Sequence, residues 1–239
     1  MKFKTILKYK IYNASQAFIM HIAKSTFYNS IRYLEHQEIR DSANFIRKHL
    51  DGVALFDNKK GGYFQFVMSE VQKNSQSGLW LEFGVRSGVS AKFFAKYALQ
   101  YASQNRLYGF DAFEGIRDNW SSISEPAGSF SLNGIVPPPI TGCEFVIGWV
   151  EDTLPNFLSV HADEPIVFAH FDFDVYKPTK FALESIRERL RPGSIIMFDE
   201  FHGYPGWEFN EKKALDEVLS PNTYKFIAFS RKQAAIKIL

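Results

Sequence analysis

Acidic residues end three apolar segments of this 239-residue chain. Asp111 ends Arg-Leu-Tyr-Gly-Phe-Asp, Asp172 ends Ile-Val-Phe-Ala-His-Phe-Asp, and Asp199-Glu200 follow Ile-Ile-Met-Phe. In an open α/β sheet these positions lie at the carboxyl edge, where ligands bind. Carboxylates that converge there repel one another unless a proton or a cation intervenes, and their oxygen atoms suit Mg²⁺, Mn²⁺ or Ca²⁺ better than Zn²⁺. The alternative is that Asp174 and Glu200 form salt bridges at the rim.

A glycine turn joins another apolar segment, which contains Glu82, to a helix. Gly84 and Gly88 lack Cβ atoms, so the turn can adopt strained dihedral angles and a ligand can approach the backbone closely. Free amide groups at the start of the next helix then face that ligand. Asp111 follows at the end of the next strand, where a ribose diol lies in a nucleotide-binding βαβ unit. The pattern therefore predicts a nucleotide site.

Two further segments contribute candidate side chains. The strand that ends at Gly148 lies beside the first crossover, so residues 148–152 are predicted to contact an adenine. Asp152 or Thr153 can instead cap the helix that follows. His202 lies in a loop beyond Asp199 and titrates near neutrality, so it is a candidate base for a substrate hydroxyl; the alternative is a solvated loop histidine.

These residues need a parallel sheet to position them. Strands are predicted at 79–84, 106–111, 144–148, 165–172 and 194–199, and helices at 88–102, 152–160, 178–190 and 210–219. Such alternation indicates right-handed crossovers. Residues 224–229 and 234–239 are predicted to form a hairpin-like pair of strands. A parallel sheet that ends in an antiparallel strand is typical of methyltransferases rather than nicotinamide-binding domains.

Two other regions of the chain are distinctive. Residues 1–77 are predicted as a helical extension that includes a helix at 63–73, before a domain at 78–239. The insert at 112–142 is longer than an ordinary connection, so we expect a lid over the substrate; the alternative is a surface excursion.

Charge and composition limit which cellular compartment and which binding partners are expected. Six basic residues precede the first acid, Glu35, so the N-terminus is predicted either to contact a membrane surface or a partner, or to form a solvated helix. No run reaches the roughly 18 to 20 apolar residues of a spanning helix. Residues 1–20 make a poor secretory signal. The single cysteine, Cys143, excludes an internal disulfide and favours a reducing, cytoplasmic location.

Five segments in order make the chain resemble class I S-adenosylmethionine-dependent methyltransferases, and within them the macrocin O-methyltransferase (TylF-like) family. The segments are Leu81 to Ser90, Tyr108 to Gly115, Gly148 to Pro155, Asp172 to Thr179, and Asp199-Glu200-Phe201. The resemblance covers roughly residues 78–239. It implies a Rossmann-like sandwich with a seven-stranded, mostly parallel sheet whose last strand is antiparallel.

The resemblance also implies roles for particular residues. The cofactor is expected to contact Glu82, Gly84, Gly88, Ser90, Asp111, Gly148, Glu151, Asp152 and Asp172. A Mg²⁺ ion is expected on Asp172, Asp199 and Glu200, although the family usually has two aspartates at the last two positions. The histidine that the family carries in the insert is missing, because residues 112–142 contain none. Asp172 or His202 is therefore expected to act as the catalytic base.

The sequence thus predicts an O-methyltransferase for a hydroxyl of a sugar or another small polar metabolite. One alternative is an N- or carboxyl-methyltransferase of the same fold. Another is a non-catalytic nucleotide-binding scaffold with a basic membrane- or partner-contacting N-terminus. No nucleic-acid partner is expected, and homo-oligomer formation stays open.

Overall fold

The computed structural model describes residues 36–57, 62–74, 77–101, 105–120 and 125–239. The predictions for the basic N-terminus fall on residues 1–35 and lie outside this part of the chain. None of the helices described is both long enough and apolar enough to pass through a membrane. The helices are α1 (residues 36–47), α2 (Phe64–Gln72), α3 (Val89–Tyr101), α4 (Val150–Val160), α5 (Tyr176–Ile186) and α6 (Glu211–Val218).

The strands form one mostly parallel sheet. They are β1 (Ala54–Leu55), β2 (Leu79–Phe83), β3 (Leu107–Asp111), β4 (Cys143–Ile147), β5 (Ile166–Phe171), β6 (Leu190–Phe198), β7 (Tyr224–Phe229) and β8 (Ala234–Ile238). Their order is β1-β7-β8-β6-β5-β2-β3-β4. Among the strands in the described part of the chain, only β8 runs antiparallel to its neighbours, β6 and β7. The predicted methyltransferase sandwich is confirmed, with the two-residue β1 as an additional eighth strand at one edge.

Side chains of the central strands contribute to two apolar layers, one on each face of the sheet. In β2, Leu79, Leu81 and Phe83 pack with the core residues of α4, α5 and α6. Trp80, between them, points to the other layer with residues of α2 and α3. This alternation follows from the period of two along a strand. Because both faces are covered, all five residues of β2 are buried, as is usual in parallel sheets.

The described residues before residue 78 include two helices, α1 and α2, that pack onto the sheet. Phe64, Val67, Met68 and Val71 of α2 are buried in the same layer as Trp80. Phe45 and Ile46 of α1 pack against the opposite layer. The helix predicted at 63–73 is thereby confirmed as α2. The boundary between an extension and a domain at residue 78 stays a prediction.

Helix boundaries differ from the predictions by one or two residues, except at the end of α5, which stops at Ile186 rather than at residue 190. Helix α4 begins at Val150 after Trp149, two residues earlier than expected, so Asp152 and Thr153 lie inside its first turn. Thr153 Oγ1 donates to the carbonyl oxygen of Trp149 at 3.0 Å and caps no N–H group. The capping prediction for Asp152 or Thr153 is therefore wrong. Acidic side chains in this first turn are favourable instead because they face the positive end of the helix dipole.

Candidate active site

A cavity of about 860 Å³ opens at the carboxyl edge of the sheet. This volume lies within the range of small-molecule sites. One end, here called the turn half, is formed by the segment after β2, the end of β3 and the residues after β4; its predicted members are Gly84, Ser90, Asp111, Gly148 and Glu151. The other end, here called the acidic half, contains Asp172, Asp174, Asp199, Glu200 and Lys232.

Asp111 organises the backbone of the glycine turn. Its Oδ2 accepts hydrogen bonds from the N–H groups of Val85 at 2.7 Å and Arg86 at 2.6 Å. Its Oδ1 accepts one from the N–H group of Phe113 at 2.6 Å. A carboxylate offers about four lone-pair positions. Asp111 therefore holds the turn and still has acceptor capacity toward a ligand hydroxyl in the cavity.

Gly84 brings the turn against the end of the neighbouring strand. It has φ +90°, a conformation that L side chains rarely adopt, and its N–H donates to the carbonyl of Phe110 at 3.0 Å. A Cβ atom at this position would lie 2.1 Å from the carbonyl oxygen of Asp172. Only glycine permits this close approach of the two backbone segments. Gly84 and Asp172 both line the cavity, at the place where its two halves meet.

Gly88 supports the same turn from behind. It is buried and does not line the cavity. Its N–H donates to the carbonyl of Val85 at 2.9 Å, and a Cβ atom there would lie 2.6 Å from Cδ1 of Ile140. Gly88 thus shapes the turn, and its direct contact with a cofactor stays a prediction.

Glu82 also lies away from the cavity. Its side chain is fully buried, and its Oε1 is 3.0 Å from Nδ1 of the fully buried His170. Burial alone lowers the pKa of His170, but Asp199 and Glu82 raise it to about 10. His170 therefore lies between two acidic side chains, with its Nε2 3.9 Å from Oδ1 of Asp199. Glu82 does not line the cavity, and its contact with a cofactor stays a prediction.

Some of the residues after β4 line the turn half of the cavity and others do not. Gly148, Trp149 and Glu151 line the cavity, whereas Asp152 does not. The Asp152 side chain is 73% exposed and lies 3.9 Å from a guanidinium nitrogen of Arg117. That guanidinium lies 3.9 Å from the centre of the Trp149 ring. The predicted adenine region is therefore confined to 148–151, and Trp149 adds an aromatic face that sequence reasoning did not single out.

The insert forms a wall of the cavity. Ile116, Arg117, Trp120 and Phe130 line it, and Arg86 lies 5.1 Å from the centre of the Phe130 ring. These contacts favour the predicted cover over a surface excursion for the described residues of the insert, 112–120 and 125–142.

Asp172 is a carboxyl group at the junction of the two halves. Its pKa is raised well above the ordinary value, first because the carboxyl is withdrawn from water and then because Asp199 and Asp174 carry like charges. His170 acts in the opposite direction. A raised pKa makes the ionised form of Asp172 a stronger proton acceptor than an ordinary aspartate.

Asp199 and Glu200 already have partners from the turn between β7 and β8. Gln233 Nε2 donates to Asp199 Oδ1 at 2.7 Å, and Lys232 Nζ lies 3.1 Å from Glu200 Oε2. Within the described ranges of the chain, no group of three or more His, Cys, Asp or Glu side chains is arranged to hold a metal ion. The predicted Mg²⁺ ligands Asp172, Asp199 and Glu200 therefore lie at one end of the cavity but do not fit a metal centre as arranged.

Glu211 is a buried carboxyl group that sequence reasoning missed. It begins α6 behind the acidic half, and its Oε2 accepts from the N–H group of Glu200 at 3.1 Å. Burial raises its pKa well above the ordinary value, and Asp174 and Asp172 add to the shift. The signal available in the sequence was weak, because an acid in the first turn of a helix is ordinary.

His202 faces away from the cavity, which corrects its prediction as the base. It is 2% exposed. Its Nδ1 lies 2.8 Å from Ser42 Oγ and its Nε2 lies 3.2 Å from the carbonyl oxygen of Gln233. Since a carbonyl only accepts, Nε2 carries the proton and Nδ1 accepts from the hydroxyl. Burial lowers the pKa of His202 to about 4.

The buried His202 gives an expected pH dependence of stability. The unfolded chain binds a proton near pH 6.5 and the folded chain only near pH 4, so stability is lost as pH falls through this window. By pH 5 the loss from this group is about 2 kcal/mol. Urea unfolding at pH 7.5 and 5.0 should show a smaller difference for His202→Gln than for the wild type. Substitution of the exposed His36 by Gln is the control, and equal pH dependence in all three proteins would contradict the assignment.

Comparisons with known proteins agree with this geometry. A family model described as a methyltransferase domain matches residues 81–201, just over half of the chain. The solved structure of CalS11, a calicheamicin methyltransferase, aligns with a TM-score of 0.62 and 27% identity over 73% of this chain and 77% of CalS11. The O-methyltransferase NovP aligns with a TM-score of 0.54 and 17% identity over 74% of this chain and 79% of NovP, which supports the fold alone.

A sequence relative comes from Streptomyces olivaceus. It is named 8-demethyl-8-(2,3-dimethoxy-alpha-L-rhamnosyl)-tetracenomycin-C 4'-O-methyltransferase and is 23% identical over 168 residues. The alignment covers 63% of this chain and 61% of the relative, so it spans less than two thirds of that protein. The fold and the cavity define a Rossmann-like methyltransferase. The chain belongs to the methyltransferase domain family.

Proposed function

We propose that the chain is an S-adenosylmethionine-dependent O-methyltransferase that acts on a hydroxyl group of a sugar. The observation that carries this proposal is one cavity whose turn half and acidic half meet at Gly84 and Asp172. The turn half has a glycine turn, a helix start and a carboxylate on a strand end, which suit a nucleoside. The acidic half provides carboxylates for the hydroxyls of an acceptor.

The names of the relatives support a sugar as the acceptor class. The Streptomyces relative is named for methylation of a rhamnosyl group, and a ligand-free structure of CalS11 is titled as a TDP-rhamnose 3'-O-methyltransferase, with 27% identity to this chain. These activities belong to those proteins and are extended to this chain as part of the proposal. Membership of the macrocin O-methyltransferase family is proposed on the same basis.

The residues present fit the cofactor. Asp111 has acceptor capacity left for a hydroxyl after its three backbone hydrogen bonds, and Ser90 and Glu151 line the same half of the cavity. When bound, S-adenosylmethionine supplies a methyl group that is already activated by the sulfonium charge. The chain then mainly positions the acceptor hydroxyl and accepts its proton.

Asp172 is the residue that accepts this proton in the proposed reaction. It lies at the junction of the two halves, and its pKa is raised by withdrawal from water and by the neighbouring carboxylates. The carboxylate takes the proton of the acceptor hydroxyl as the oxygen attacks the methyl group. The proton then leaves to solvent when the product departs.

Replacement of Asp172 by asparagine is expected to lower kcat by about 10²- to 10³-fold, because general-base catalysis contributes an effect of this size. The affinity for S-adenosylhomocysteine should stay within about twofold, since the amide keeps the shape of the side chain. Asp118→Asn is the control, because its side chain lines the cavity but pairs with Lys177 at 2.8 Å. Wild-type kcat in Asp172→Asn would exclude Asp172 as the base.

The activity itself is tested with purified protein, S-adenosylmethionine, and a panel of TDP-deoxysugars and rhamnosyl glycosides. Formation of S-adenosylhomocysteine and a product heavier by one methylene unit, both measured by mass spectrometry, is the expected result. Binding of the cofactor without turnover of any sugar would contradict the proposal. Turnover of amine or carboxylate acceptors alone would favour the alternative N- or carboxyl-methyltransferase.

A further inference from the structure

The turn between β7 and β8, residues 230–233, lies beside the acidic half of the cavity. Strand β7 runs parallel to β6, because both are antiparallel to β8, so its carboxyl end reaches the same edge of the sheet as that of β6. The carbonyl of Lys232 accepts from the N–H groups of Phe201 at 2.7 Å and His202 at 3.1 Å. These bonds fix the backbone of Lys232 next to the segment that carries Asp199 and Glu200.

The Lys232 ammonium is directed to the carboxylates from this backbone position. It lies 3.1 Å from Glu200 Oε2, and the Glu200 side chain is only 9% exposed. Gln233, the next residue, donates its amide to Asp199 Oδ1 at 2.7 Å. One turn thus supplies a cation and an amide donor to two of the three carboxylates that the family resemblance assigns to a metal.

Two aromatic rings hold the ammonium at the cavity wall. Lys232 Nζ lies 5.4 Å from the centre of the Trp120 ring and 5.5 Å from that of Tyr204. Both distances are within the range of cation–π attraction. Tyr204 in turn donates its hydroxyl to the carbonyl of Glu200 at 3.0 Å. The position of the charge is therefore set by the insert, the loop after β6 and the turn after β7 together.

Carboxyl groups are concentrated around the position of the Lys232 ammonium. Asp172, Asp174, Asp199 and Glu200 line the acidic half, and Glu211 lies behind it. Deprotonation of an acceptor hydroxyl adds negative charge to this region. An ammonium has three N–H donors, so Lys232 can keep its ion pair with Glu200 and donate a hydrogen bond to the acceptor oxygen.

We propose that Lys232 binds the acceptor oxygen and takes the place of a divalent cation, so that methyl transfer proceeds without a metal. This inference rests on the proposed function. The ammonium orients the hydroxyl toward the methyl donor and stabilises the negative charge that develops on its oxygen. A charge that is already held in place before the reaction can stabilise a developing negative charge without reorganisation.

Turnover of the sugar panel by Lys232→Met and Lys232→Arg is the first test. Lys232→Met should lower kcat/KM by about 10²-fold or more, which is the usual cost of a lost electrostatic donor. Lys232→Arg, which keeps the charge, should retain more activity than Lys232→Met. The affinity for S-adenosylhomocysteine should be unchanged in both Lys232 variants. An unchanged affinity would show that both variants are folded. Lys225→Met is the matched control, since Lys225 is an exposed lysine of the same hairpin.

A metal titration gives a readout that does not depend on turnover. Wild-type turnover should be insensitive to exhaustive chelation. Mn²⁺ binding followed by electron paramagnetic resonance should be about tenfold tighter in Lys232→Met than in the wild type, because removal of the ammonium unpairs Glu200 and removes a repulsive charge.

Three results would overturn the inference: loss of wild-type turnover with chelator and recovery with Mg²⁺, wild-type kcat/KM in Lys232→Met, or equal Mn²⁺ affinity in the two proteins. If no sugar is methylated by the wild type, the proposed function fails. The Mn²⁺ titration still decides the role of Lys232 in that case.

Discussion

Replacement of Asp111 by alanine is expected to lower the affinity for S-adenosylhomocysteine by about a hundredfold or more. The substitution removes the acceptor of three backbone N–H groups, those of Val85, Arg86 and Phe113. Hydrogen bonds to a charged group contribute about 1.5–3 kcal/mol each, and the turn that they shape forms one half of the cavity. Calorimetric titration with S-adenosylhomocysteine measures the effect.

The control for Asp111 is Asp152→Ala. Asp152 was predicted from the sequence to contact the cofactor, but its side chain is mostly exposed and lies outside the cavity. Its substitution should change the affinity by less than about twofold, as is usual for an exposed ion pair. Equal affinities for Asp111→Ala and the wild type would show that the turn does not need its carboxylate.

Replacement of Gly84 by alanine is expected to destabilise the fold by about 3–5 kcal/mol, or to prevent accumulation of folded protein. The new Cβ atom would lie 2.1 Å from the carbonyl oxygen and 2.8 Å from the carbonyl carbon of Asp172, and both are backbone atoms. Relief would require separation of the ends of β2 and β5. Urea unfolding of the purified variant measures the loss.

Gly128→Ala separates this clash from backbone strain. Gly128 has φ +87°, almost the value of Gly84, but no atom lies within 4 Å of the position of its Cβ. Its substitution should therefore cost only the strain of a positive φ, about 1–2 kcal/mol. Equal destabilisation at both positions would mean that the approach of Gly84 to Asp172 is unimportant.

Much of the sheet could be predicted from the sequence because its strands are short apolar runs separated by helical periodicity. Residues 224–229 were predicted as a strand with the observed limits, and the antiparallel β8 followed from its hairpin with β7. β1 could not be predicted in this way. It has two residues, Ala54 and Leu55, and pairs with β7 across a large sequence separation, which no local pattern reveals.

Side-chain direction explains why some of the predicted residues do not line the cavity. Glu82 and His202 lie near residues that line the cavity, but each is turned into the interior by a specific hydrogen-bonding partner. Such partners are remote in sequence and cannot be read from spacing. Asp111 was correctly placed at the cavity because the end of a parallel strand has only one location.

The location of Lys232 near the cavity could have been predicted from topology alone. The sequence predicts a hairpin at 224–239 and an antiparallel last strand, and together they bring the intervening turn to the ligand edge of the sheet. Lys232 lies in that turn, at residues 230–233. Topology predicts that the turn lies near the cavity. The contact of Lys232 with Glu200, in contrast, depends on side-chain geometry, which topology does not predict.

The two-residue strand β1 covers one end of the outer edge of the sheet. It pairs with Ala228 and Phe229 of β7, and the N–H group of Phe56 adds a hydrogen bond to the carbonyl of Phe229 at 2.9 Å. An open strand edge is a template for pairing with another molecule. A chain shortened to start at residue 78 would expose this edge and lose the apolar face of α2, so it would be prone to self-association. The methyltransferase fold thus depends on residues that precede the region of family resemblance.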